Sequence, residues 1–127
     1  MAIAPNDVNV LSVETADLDV REGQNFDVTI EAEAGTALHA TGGQYRVRMT
    51  VTDTTNPSLL NSQDITGNYG SADWPAPGLQ TFTFTVPGAA TNGKQGDILE
   101  PQARVINNAA PPFDASHAVG DRLLVTP

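Results

Sequence analysis

From residue 25 to residue 34 apolar and polar side chains alternate without a break. Phe26, Val28, Ile30, Ala32 and Ala34 fall on one side, and Asp27, Thr29, Glu31 and Glu33 fall on the other. A period of two marks a strand with one face buried and one face wet. The pattern recurs over residues 44–53, where Tyr45, Val47, Met49 and Val51 point inward and Arg46, Arg48, Thr50 and Thr52 point outward. It recurs again over 80–86, where Phe82, Phe84 and Val86 alternate with threonines. Weaker strands are predicted over 8–14, 17–21, 58–66, 97–107 and 118–126. In the first two the phase slips at Val10–Leu11 and again near Thr15–Ala16, as a bulge or a strand changing sheets would produce. The segment 58–66 is short and polar, which suits a sheet edge.

Most of the 11 glycines and 9 prolines fall between these runs, and no window carries an apolar stripe at helical spacing. Asn92-Gly93 predicts a type I′ turn, because both residue types tolerate positive φ. Eight short strands with frequent turns, in a chain of 127 residues, predict one all-β domain over 1–127: an antiparallel Greek-key sandwich of seven or eight strands. A jelly roll would suit the strand count as well.

The run Leu18-Asp19-Val20-Arg21-Glu22-Gly23-Gln24-Asn25-Phe26-Asp27-Val28-Thr29-Ile30 resembles the cysteine-free bacterial Ig-like and fibronectin-type modules. There a short strand, a Gly turn and a long alternating strand follow one another in this way, and residues 80–87 resemble a later strand of the same modules. The chain departs from the antibody type. It has no cysteine pair, Tyr45 or Val47 stands where antibody domains carry a core Trp, and 97–107 holds no Tyr. The resemblance implies a non-catalytic structural or protein-interaction module of the kind found in bacterial surface proteins, enzyme accessory domains and phage virions.

The Ig-like order implies that the connections 35–43, 67–79 and 108–116 share one pole. It also implies that Asp27, Glu31 and Glu33 face out from one sheet and Arg46, Arg48 and Arg104 from the other. The pole would collect His39, Tyr69, Asp73, Trp74, Phe113, Asp114 and His117, with Asn107 nearby. His and Asp are ligands for a divalent metal, so His39 and His117 are possible metal ligands. Tyr69 and Trp74 suit stacking on a sugar or anchoring a protein. The plainer reading is that Trp74, between Pro75 and Pro77, plugs the end of the sandwich and that the histidines bond to loop backbone.

The formal charge of -9, from 15 acidic and 6 basic residues, repels phosphate backbones and anionic membrane surfaces, so neither nucleic acid nor membrane insertion is expected. No apolar run approaches the ~20 residues that span a bilayer. Absence of cysteine excludes disulfides and thiolate chemistry. No phosphate-binding glycine loop or calcium-loop pattern is present, and no cofactor is expected. Asp114-Ala115-Ser116-His117 contains the residue types of a catalytic triad, but adjacency in sequence does not make one. A protein partner is expected, through the pole or by strand addition at an exposed edge, with 58–66 the favoured edge and Leu59 and Leu60 as contacts. Nothing in the sequence specifies self-association.

Overall fold

The alternating runs form the two sheets. The computed structural model describes residues 7–107 and 114–127, with backbone alone for Thr41 and Asp114. Its strands are β1 (Val8–Glu14), β2 (Asp19–Arg21), β3 (Phe26–Ala34), β4 (Gln44–Asp53), β5 (Ser58–Asn68), β6 (Gly78–Val86), β7 (Ile98–Asn107), β8 (Asp114–Val119) and β9 (Leu123–Thr126). One short helix, α1 (Thr36–Thr41), and a 3-10 turn over Gly88–Thr91 complete the elements. A three-stranded sheet has the order β1-β3-β6. A six-stranded sheet has the order β2-β9-β7-β4-β5, with β8 also paired to β7.

The inward residues of the three clearest strands close the core. Val28, Ile30, Ala32 and Ala34 of β3 meet Tyr45, Val47, Met49 and Val51 of β4 with no exposure at all, and Phe82, Phe84 and Val86 of β6 are buried beside them. Phe26 is only partly buried, because it lies at the open end of its strand. Both phase slips have structural causes. The β1–β3 register shifts between Val10 and Ser12, which leaves Leu11 46% exposed. Past Glu14 the chain leaves the three-stranded sheet, and β2 pairs with β9 of the other one.

Three local expectations are corrected. The β2–β9 pairing is parallel, because both strands enter that edge in the same direction. The last predicted strand begins earlier, at Asp114, and breaks at Gly120, so two strands replace one. A Cβ on Gly120 would lie 2.5 Å from the Val13 carbonyl oxygen. Asn92-Gly93 forms a type II turn rather than type I′: Asn92 has φ -58° and ψ 126°, and Gly93 alone takes positive φ, at 75°. Asn92 follows a 3-10 turn, which fixes its φ as negative.

At the pole away from α1, β4 ends in a buried carboxylate. Asp53 occupies the next inward position after Val51 and is 1% exposed. Its Oδ1 accepts hydrogen bonds from the Thr55 and Asn56 backbone N–H groups at 2.9 and 3.0 Å. These bonds shape the four-residue connection that returns β5 beside β4. Lys94 Nζ lies 4.0 Å from Oδ2. Burial opposes ionisation of Asp53, but the neighbouring Asp97 carboxyl, the two backbone donors and Lys94 outweigh it and hold its pKa below the ordinary value. Asp97 is pushed the other way, first by the neighbouring Asp53 carboxyl and then by desolvation.

Met49→Ala is expected to cost about 2–5 kcal/mol in urea unfolding, while Leu59→Ala on the exposed edge stays within about 0.5 kcal/mol. Equal effects would contradict the core described. The lowered pKa of Asp53 adds stability above the unfolded carboxylate range, and this is lost as pH falls through the folded value. Asp97, with its raised pKa, contributes in the opposite sense, with stability lost as pH rises through that value. Asp53→Asn is therefore expected to flatten the acid-side loss in a pH series of urea melts. An unchanged slope would remove Asp53 as its source.

Candidate functional site

The connections 35–43 and 67–79 meet at one pole as expected, while 108–113 lie outside the described residues, and most of the chemistry at this pole is turned inward. Gly35 opens α1 and Gly42 closes it at φ 64°, with the Gly42 N–H donating to the His39 carbonyl. The helix buries Leu38 and leaves His39 half-buried against the connection between β5 and β6. Trp74 has no exposure and Tyr69 only 2%. Their ring centroids are 5.3 Å apart, and each lies within 5.2 Å of Tyr45. Phe82 approaches Trp74 to 5.5 Å, and His39 stacks at 5.1 Å from Tyr69. Tilted and edge-on pairs at such spacings are the favoured aromatic geometry.

This cluster is a plug, and two expectations change with it. Neither Tyr69 nor Trp74 presents a ring face to solvent, so they do not make a sugar platform. His39 Nε2 lies 3.1 Å from the Trp74 carbonyl oxygen, and Nδ1 lies 3.4 Å from that of Gly35. A neutral imidazole has one N–H for these two acceptors, so the ring serves loop backbone, as the plainer reading expected. Burial, together with the Asp73 carboxylate, raises the pKa of the Tyr45 phenol. Asp73 itself is exposed.

His117 is not at the pole. It lies in β8, opposite Arg104 of β7, on the outer face of the six-stranded sheet. The two histidines therefore belong to different surfaces. Among the described residues, no three His, Asp or Glu side chains form a metal-sized group. Ser116 accepts a hydrogen bond from the Val10 backbone N–H at 2.9 Å, while its neighbour His117 points to the opposite face of the strand. Ser116 and His117 thus lie on opposite faces of the sheet. Asp114 begins β8, and Phe113 lies outside the described residues. Asn107 is buried at the end of β7.

Among the described residues, the open surfaces include a long sheet edge, a groove and a sheet face. The edge is β5, eleven residues long and paired on one side only, to β4. It is longer than the sequence predicted, because the pairing continues to Gln44↔Asn68. Leu59 is 60% exposed, while Leu60 and Ile65 lean on the core. The one charge on the strand, Asp64, is held by Arg48 through bonds of 2.8 and 3.1 Å. Gln63 Nε2 reaches across to the Thr85 carbonyl of β6 at 2.8 Å, linking the open edges of the two sheets. The groove, of about 540 Å³, runs where the chain crosses between sheets, from Thr15 to Asp27. It is the gap left by that crossing, with Asp17, Asp19, Arg21 and Asp27 among its lining residues.

The charged faces are as the sequence expects. Asp27, Glu31 and Glu33 lie on the three-stranded sheet, and Arg46, Arg48 and Arg104 on the six-stranded one. Sequence reasoning missed Asp53, whose only signal was a carboxylate on the inward phase of a strong strand. It also misplaced His117 by starting the last strand four residues late.

Neither a protein-family model nor a curated protein sequence matches the chain. Among solved structures it is similar to part of a protein from Bacteroides fragilis assigned as a β-galactosidase, with a TM-score of 0.53 and 11% identity, over 93% of this chain and 17% of that one. It is also similar to part of a glycosyl hydrolase family 2 member from Bacteroides cellulosilyticus (0.51, 9%, 90% and 15%). A β-glucuronidase from Bacteroides uniformis gives corresponding values of 0.52, 11%, 88% and 14%. The chain spans less than a fifth of the length of each, and at these identities what it shares with them is the β-sandwich fold.

Proposed function

We propose that the chain is a non-catalytic Ig-like interaction module that takes a protein partner by strand addition along β5. The observation that carries this reading is the edge itself. Native sheet edges are usually blunted by lysines, prolines or bulges along the strand. Over its eleven residues β5 has no lysine or proline, and its one bulge lies at the hairpin end, at Val51/Thr52 of the β4 pairing. Its backbone offers a row of hydrogen-bonding groups, and Leu59 offers an apolar contact. The side chains suited to chemistry at the pole are occupied in packing, which favours a module over an enzyme. Occurrence of the same fold as a minor part of longer hydrolase chains supports an accessory role. The partner is read as protein, because the net charge disfavours nucleic acid and anionic membrane.

No helix among the described residues is long and apolar enough to cross a membrane, and the edge is reachable from solvent. A photo-reactive residue at position 59 or 62 is expected to label a partner protein in extracts of the source cells, while one at position 73 or 27 does not. Leu59→Lys with Ser62→Lys is expected to reduce that labelling from an adjacent position at least tenfold, with circular dichroism unchanged. Labelling from the pole alone, or turnover of chromogenic glycosides by the purified chain, would overturn the proposal.

A further inference from the structure

The strand register gathers cations on the outer face of the six-stranded sheet. Asp64, Arg48, Arg104 and His117 stand in one row across β5, β4, β7 and β8. Directly opposed residues on antiparallel strands have Cα atoms about 4.5–5.5 Å apart. Arg48 and Arg104 are such a pair, and like charges in that position repel. In the neighbouring outward row, Arg46 stands opposite Ile106, and its buried Nε has no acceptor. Three of the five arginines therefore lie in two adjacent rows of a chain that carries 15 acidic residues.

The available carboxylates pair with Arg48 but not with Arg104. Asp64 binds Arg48 through both its oxygens. Glu100, further along β7, is taken by Arg122 at 3.2 Å and by Gln102 at 3.1 Å. Arg104 is exposed and forms no ion pair among the described residues. The row also has a shape. Arg48, Thr50, Gln102, Arg104 and His117, over the backbone of Ala103, line a depression of about 190 Å³. Guanidinium groups, a hydroxyl, an amide and an imidazole thus converge on one hollow. That donor set matches the oxygens of a carboxylate or phosphate.

We propose that this hollow binds a small oxyanion, held chiefly by Arg104, with Arg48 and His117 on either side. The size of the hollow suits a single anionic group with a short substituent. The formal charge of -9 works against a polyanion, whose many charges feel the whole molecule, while a small anion responds to the nearby row. Asp64 already pairs with Arg48, so a small anion would supply the counter-charge that Arg104 does not find among the described residues. This site lies on the sheet face and does not depend on strand addition at β5.

Backbone amide shifts of the ¹⁵N-labelled chain at low ionic strength test it, with inorganic phosphate and succinate as small probes and a heparin oligosaccharide as the polyanion. Saturable shifts are expected at residues 48, 50, 102–104 and 117 with either small probe, with a dissociation constant on the order of 1 mM. The heparin oligosaccharide is expected to bind no tighter. Arg104→Gln is expected to weaken phosphate binding at least tenfold while leaving the melting temperature equal or higher, because the substitution removes a like-charge pair. Three outcomes would overturn the proposal: shifts spread equally over Arg21, Lys94 and Arg122; affinity unchanged in Arg104→Gln; or tight heparin binding with no response to the small probes. A lowered melting temperature in Arg104→Gln would assign the side chain a structural role instead.

Discussion

Apolar rows facing each other across the two sheets hold this molecule together, with no disulfide between layers. Val28 and Ile30 on one side and Val47, Met49 and Val51 on the other have no exposure. Each buried aliphatic side chain of this size contributes roughly 1.5–3 kcal/mol relative to leaving it in water. Because side chains alternate with period two, a one-residue slip of β3 or β4 would expose its whole row and bury Glu31 or Arg48 in its place. Register is therefore strongly fixed in the centre of the sandwich. Everything on the outer faces inherits that register, including charges with no packing reason to be neighbours.

The two ends of the sandwich are closed by different chemistry. At one pole four aromatic rings and His39 fill the gap between the sheets. A Cβ on Gly67 would come within 2.7 Å of Tyr45 Oη, so the glycine makes room for that ring. At the other pole polar groups close the end. Gly23 N–H donates to Thr91 Oγ1 at 2.9 Å, and Asn25 Oδ1 accepts from the Gly88 N–H at 2.7 Å. Asp53 supplies the turn between β4 and β5. Residue types that suggested function in the sequence are thus partly consumed in closing ends, as short loops over an open sandwich require.

What the sequence made legible follows from how directly alternation reports burial. The inward rows of β3, β4 and β6 were readable residue by residue, and so were the two phase slips near Val10 and Thr15. The opposed charges of the two sheets followed from the same alternation once the strand order was assumed. Less legible were features set by pairing between distant segments. Six residues of α1 are too few for helical periodicity to register. The start of β8 at Asp114 carries no alternating apolar signal, because Ser116 faces β1 and His117 faces water. For the same reason the sequence grouped His117 with His39. Trp74 could be read either as a platform or as a plug, and its burial against Tyr45, Tyr69 and Phe82 decides between them.

The same constraint explains why the sheet face is the more informative surface. Core and end closure fix which residues point inward, so they leave little freedom at Tyr45, Trp74 or Asp53. Outward positions of β4 and β7 carry no such demand, and threonine or glutamine, both present in these strands, would satisfy them at no electrostatic cost. Arginine at both Arg48 and Arg104 places two like charges in opposed register, an arrangement that is mildly unfavourable for exposed side chains. Asp64 relieves that for Arg48 alone. Local packing does not require this arrangement, and it leaves Arg104 exposed with no ion pair among the described residues. The hollow beside Arg104 is where a counter-charge would be held.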